Sequence, residues 1–138
     1  MRNTVKIVET INYVSQAIEK GDYDTCSVLL DDFLEICTNH FETEENLLAS
    51  LNFPNLHSHI VFHRELILKA KSVRVLCMDK NDPNSLSHCF DEMAALLVED
   101  VIKGDLSFVP FLVDKGVAKP RDPVMPILKR VKSKTRPA

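Results

Sequence analysis

The sequence predicts an all-α fold: an up-down-up-down antiparallel four-helix bundle with a short C-terminal element. Three observations carry that expectation. Apolar residues recur at helical rather than strand spacing along most of the chain. Turn residues cluster at Gly21, at 52–55 and at 81–84, dividing the chain into four long segments with short connections. The 138 residues, 45% hydrophobic and 27% charged, suffice for one core of this kind.

The first helix is expected from about Asn3 to Lys20. Ile7, Ile11, Val14 and Ile18 form its buried stripe, and Gly21 is its stop. Thr4 falls near the edge of that stripe and Glu9 on the opposite side. The second helix starts near Asp22 to Asp24, which can cap it, and ends around Ser50. Cys26, Leu29, Leu30, Phe33, Cys37, His40, Glu44 and Leu47 share one arc of its wheel. Asp31, Asp32, Glu35 and Asn39 lie off that arc.

The third helix follows Pro54, a residue tolerated in a first turn, and runs to about Met78. Leu56, His59, His63, Leu66, Ala70, Val73 and Cys77 share its inner face, with His57 nearly opposite. A fourth helix, capped by Asn84 or Ser85, reaches about Lys103. Leu86, Cys89, Met93, Leu96, Leu97 and Asp100 fall on one side, and His88 points elsewhere. Gly104 ends this helix and Asp105 follows at once. Phe108, Pro110, Phe111 and Leu112 read as a short element closing one end. The bundle is expected over residues 1–116. Residues 117–138 are a basic, mostly irregular tail with room for a last turn through Val124, Ile127 and Leu128.

A net charge of -3 gives no electrostatic case for nucleic acid binding. No apolar stretch approaches the ~18 residues of a membrane helix, and no signal peptide is expected. Cys26, Cys37, Cys77 and Cys89 lack metal-finger spacing and fall on apolar faces, so buried thiols in a reducing cytoplasm are expected. No glycine-rich phosphate loop and no nucleophile-and-base arrangement can be read.

The chemistry concentrates between His40 and His63. His40 and Glu44 are four residues apart, as are His59 and His63, so each pair can aim two donors at one place. All four replace apolar residues at inward positions, and Asp100 adds a second inward carboxylate. Imidazole with carboxylate suits iron, zinc, manganese or cobalt. The same groups could instead pair as a polar network without a metal.

The run HFETEE at 40–45, then Phe53–Pro54, His59 and His63, resembles the hemerythrin-like proteins, in particular bacterial hemerythrins. Softer matches are Ile11–Asn12 with Ala17 and Gly21, the segment ALLVEDVIKGD ending in Asp105, and FVPFL after it. The resemblance covers roughly residues 4 to 112. It implies a bundle holding two irons and binding dioxygen or another small diatomic ligand. It implies His59 and His63 as ligands of one iron, His40 as a ligand of the other, and Glu44 and Asp105 as carboxylates bridging both.

Two positions depart from the family pattern. Thr4 stands where the family has a ligand histidine, and Asp100 stands where it has another. Leu96 replaces the usual tryptophan, and the chain has none. The set His59, His63, Asp100, Glu44 and Asp105 would still serve one ion, while His40 and the bridges are left for a second. One or two irons are thus expected. More carboxylate and less imidazole favours the ferric state. That favours redox turnover, sensing or a non-functional remnant of the family site over reversible oxygen carriage. Three functions stay open: dioxygen binding or oxygen and redox sensing, a redox enzyme acting on peroxide or oxygen, and a metal-free bundle with a structural or partner-binding role.

Overall fold

The computed structural model describes residues 2–79 and 82–116, leaving aside the side chains of 2–5, 105 and 106. It is an all-α four-helix bundle. The helices are α1 (Arg2–Glu19), α2 (Tyr23–Ser50), α3 (Leu56–Met78) and α4 (Pro83–Lys103). Each packs on the next, and α1 closes back on α4. The expected tail and its last turn lie outside the described residues.

Local chemistry sets the ends of each rod. Gly21 adopts φ 71°, the left-handed conformation that only glycine takes freely. The amides of Gly21 and Asp22 cover the last carbonyls of α1, at Ile18 and Ala17. Asp22 then caps α2: its Oδ1 accepts from the Thr25 amide at 3.2 Å and its Oδ2 from the Thr25 hydroxyl at 2.7 Å. At the other end of α2, Asn52 takes φ 59°, and the Phe53 amide returns to the Leu48 carbonyl at 3.0 Å.

α3 begins just after Pro54, as expected, with Asn55 before it and no side-chain cap. The start of α4 differs from expectation. The cap of α4 is Asp82, whose Oδ1 accepts from the Ser85 amide at 3.1 Å, with Pro83 in the first turn. Asp before Pro is a better start than Asn84 because the carboxylate reaches the third residue while the proline needs no donor.

Gly104 does not stop the chain. The helix loosens there into a π-helical turn, Gly104–Phe108, and continues as α5 (Val109–Asp114). A Cβ at Gly104 would lie 2.6 Å from the Phe108 ring, so the missing side chain is what admits that ring. Phe108 and Leu112 then pack with Leu48 and Phe53 as a small apolar plug over one end. The main core runs along the bundle from there, through Phe33, Leu30, Leu66, Met93 and Leu97.

All four cysteines are buried, as their faces predicted. Cys26 and Cys77 are not free thiols, however. They form a disulfide between α2 and α3, while Cys37 and Cys89 remain free. Folding α3 back on α2 brings these two residues, 51 apart in sequence, to facing positions with Cα atoms 6.5 Å apart. The cysteines therefore lend no support to a reducing compartment. No helix is long and apolar enough to cross a membrane among the described residues.

Candidate metal centre

The plug and the main core leave one polar layer between them. Here α2 and α3 present residues that break their apolar stripes. Glu44, His59 and His63 bring one donor atom each within 4.8 Å of one another. Glu44 Oε1 accepts from His59 Nε2 at 2.6 Å and lies 3.4 Å from His63 Nε2. Its other oxygen, Oε2, lies 3.5 Å from His40 Nε2. From α4, Asp100 Oδ1 comes to 3.2 Å from His63 Nε2. Glu44 is thus the hub, met by three imidazoles.

The predicted residues therefore fall into three groups. Glu44, His59 and His63 are together, and Asp100 joins them through His63. His40 stands at the margin and touches the cluster through Glu44. Asp105 lies in the π-helical turn after α4, and its side chain, like that of Thr4, lies outside the described residues. His57 and His88 are exposed and Glu9 faces solvent, all as their helical positions predicted.

Glu45 is a residue the helical wheel missed. Its Oε2 lies 2.7 Å from His63 Nδ1. The reason is geometric. A straight helix drifts by about 20° per heptad relative to a seven-residue repeat, so the inner stripe of a long helix rotates. Late in α2 the buried positions are Phe41 and Leu48, with Leu47 and His40 only partly covered. Glu45 lies on the Phe41 side, facing α3.

Aromatic rings wall the layer. Phe41 stacks on His63 with centroids 3.8 Å apart and planes 5° from parallel. Phe108 and Phe53 meet His59 edge-on at 5.2 and 6.4 Å. Apolar walls lower the local dielectric, so the charges inside interact more strongly than in water.

The charged groups of the cluster shift one another. Burial alone would raise the Glu44 carboxyl, but contacts from His40, His59 and His63 outweigh it and hold Glu44 below the usual carboxylate range. Burial would lower His63, yet Asp100, Glu44 and Glu45 together push it up to about 10. Burial, followed by the charge of Asp100, pushes the Cys37 thiol up. Cys37 is therefore a neutral neighbour of the cluster, not a thiolate.

The polar bookkeeping is incomplete at this point of the core. His63 Nε2 and Asp100 Oδ1 are buried without a well-formed hydrogen bond, despite their 3.2 Å separation. Asn12 Oδ1 on α1 is similarly alone. A nitrogen lone pair facing two carboxylate oxygens is repulsive. It is relieved by a proton on Nε2 or by a cation among the three groups. Glu44, His59 and His63 offer two imidazoles and one carboxylate, a donor set that suits non-haem iron, manganese or zinc, with Asp100 beside it at His63. The residues present therefore fit a metal ion.

Comparison with known proteins supports the same direction. Over 87 residues the chain is 23% identical to bacteriohemerythrin of Clostridium acetobutylicum, an alignment covering 63% of this chain and 67% of that protein. No family model matches the sequence, and no solved structure matches it. The similarity supports a hemerythrin-like relationship.

Proposed function

We propose that this chain is a hemerythrin-like non-haem iron protein that binds dioxygen, or senses oxygen or redox state, at a site whose ligands depart from the family set. The observation that carries this reading is the gathering of Glu44, His59 and His63, with Asp100 facing His63 and both facing atoms buried without a well-formed hydrogen bond. The similarity to bacteriohemerythrin supports iron as the metal.

His59, His63, Glu44 and Asp100 would hold one ion. His40, with Glu44 and Asp105, would hold a second, and Thr4 supplies no imidazole to it. Bound iron would supply one-electron chemistry and open positions for a small diatomic ligand. The chain's own residues set the conditions. Glu44 stays ionised and holds three imidazoles in place. Asp100 adds negative charge where the family pattern has a neutral ring, which favours the ferric state. Phe41, Phe53 and Phe108 exclude water from the histidines. A redox enzyme acting on peroxide or oxygen uses the same site and differs in having turnover.

One contact favours a second reading. The 2.6 Å hydrogen bond between Glu44 and His59 satisfies part of the cluster with no metal. A metal-free bundle with a protein-binding role would keep that contact.

The test is metal analysis of protein expressed in iron-rich medium, paired with optical spectra before and after exposure to air. Iron bound in stoichiometric amount, with a visible band that changes with oxygen, supports the proposal. Two irons per chain place His40 and Asp105 in the site; one iron leaves the His59, His63 and Asp100 half. An empty protein whose melting temperature ignores chelators sinks it in favour of the metal-free bundle.

A further inference from the structure

We propose that Glu45 is a positioning residue that decides which edge of the His63 ring faces the metal-binding cluster. The proposal rests on the metal reading above and names a residue outside its ligand set.

Two contacts hold His63, and they constrain different things. The stack against Phe41, at 3.8 Å and 5°, fixes the plane of the ring. It does not fix which edge points inward, because a half-turn of the imidazole leaves the plane unchanged. Only the nitrogens tell the two orientations apart. Glu45 Oε2 lies 2.7 Å from Nδ1, and a carboxylate can only accept, so Nδ1 carries the hydrogen. With Nδ1 kept protonated by Glu45, Nε2 is the nitrogen that can give up its proton and offer a lone pair to a metal, and it faces Glu44 at 3.4 Å and Asp100 at 3.2 Å. A flipped ring would present carbon to those carboxylates and strand Nδ1 away from Glu45.

No solvent contact can take over this task, since His63 is only 2% exposed. Glu45 itself is about a quarter exposed. It sits at the edge of a cleft of about 480 Å³ between α2 and α3, lined also by Arg64 and Lys71. The carboxylate therefore stays hydrated on one side while holding the buried ring on the other. Its negative charge also makes the imidazole a stronger ligand, the general effect of a carboxylate behind a metal-bound histidine.

The test uses the full chain, freed of metal and titrated with cobalt(II). The wild type is compared with Glu45→Ala and Glu45→Gln, with the unfolding midpoint of each metal-free form recorded. Cobalt affinity should fall by roughly 10–100-fold in Glu45→Ala, the range typical of such outer partners. Glu45→Gln should recover part of the loss, because its amide oxygen still accepts from Nδ1. In the metal-free wild type, a slowly exchanging downfield proton should be assignable to His63 Nδ1 and should vanish in Glu45→Ala. Wild-type and Glu45→Ala affinities within about twofold would overturn the assignment, as would equal losses in both variants. A wild type that takes up no cobalt overturns the metal reading itself, and the role of Glu45 with it. Tight wild-type binding with an indifferent Glu45→Ala sinks this inference alone.

Discussion

Asp100 Oδ1 lies 3.2 Å from His63 Nε2 at the centre of the bundle, and neither atom has a well-formed hydrogen bond. Both are buried, so water does not complete them cheaply. An aspartate stands here, at the position where the resemblance to hemerythrins implied a histidine.

If Asp100 is a ligand, Asp100→Asn weakens metal binding by about tenfold or more, in line with losses seen when carboxylate support of a metal site is removed. Asp100→His should bind iron while moving its reduction potential upward, because a neutral donor replaces a charge. Voltammetry of the iron-loaded protein checks the sign. An unchanged affinity in Asp100→Asn and an unchanged potential in Asp100→His would remove Asp100 from the site.

Metal uptake should depend on pH in a defined direction. The carboxylates around His63 raise its pKa to about 10 in the metal-free protein, so at pH 7 the ring is protonated. A metal must displace that proton, and apparent affinity should rise by up to tenfold per pH unit for each proton released. The same shift affects the metal-free fold with the opposite sign. The folded pKa is raised, so its stabilisation is complete below the unfolded value near 6.5 and is lost as pH rises through about 10. Calorimetric titration in buffers of different ionisation heat measures the released proton. Uptake without proton release would contradict the charge assignment.

Most of the fold was legible because α1 to α4 carry apolar stripes at helical spacing between strong turn residues such as Gly21 and Asp82–Pro83. The inward positions of Glu44, His59, His63 and Asp100 were legible for the same reason. Glu45 was not, since its place depends on how far the stripe of α2 has rotated by the time it meets α3. The π-helical turn was hidden too: Gly104 reads as a stop, and only the fit of the Phe108 ring over it explains why the helix continues. The Cys26–Cys77 pairing needed the register of α2 against α3, which no local pattern contains.

Gly104→Ala should destabilise the protein despite alanine's better helix propensity. Propensity favours alanine by about 1 kcal/mol in a helix interior. Against it, the new Cβ would lie 2.6 Å and 2.9 Å from two atoms of the Phe108 ring. That ring is 6% exposed and wedged against His59, so it has little room to move. Overpacking of this kind costs about 1–3 kcal/mol, which outweighs the gain. Denaturant unfolding of the metal-free protein reads the balance, and a raised midpoint would show that Phe108 yields freely.

Cys37 should resist alkylation in the folded protein. The thiol is fully buried, and burial with the nearby Asp100 charge raises its pKa, so almost no thiolate forms at pH 8. Mass spectrometry after iodoacetamide treatment should find Cys37 unmodified in native protein and modified once unfolded. Rapid native labelling would mean that the polar layer opens readily.

Phe41 joins stability to access, and its removal should affect both. The ring is 4% exposed, stacks on His63, and also forms part of the wall of the cleft between α2 and α3. Phe41→Ala should cost about 3–5 kcal/mol, the usual range for deleting a buried aromatic ring. Phe41→Leu keeps most of the apolar volume and should cost less, but it too loses the stack that sets the His63 plane. Metal release to a chelator should therefore be faster in both variants, in Phe41→Ala because the cleft, which already borders His63, opens wider over the imidazole and in Phe41→Leu because the ring is free to tilt. Stopped-flow transfer of cobalt(II) to a chromogenic chelator gives the rates, and denaturant unfolding gives the energies. Release rates equal to wild type in a folded Phe41→Leu would show that Phe41 acts on stability alone.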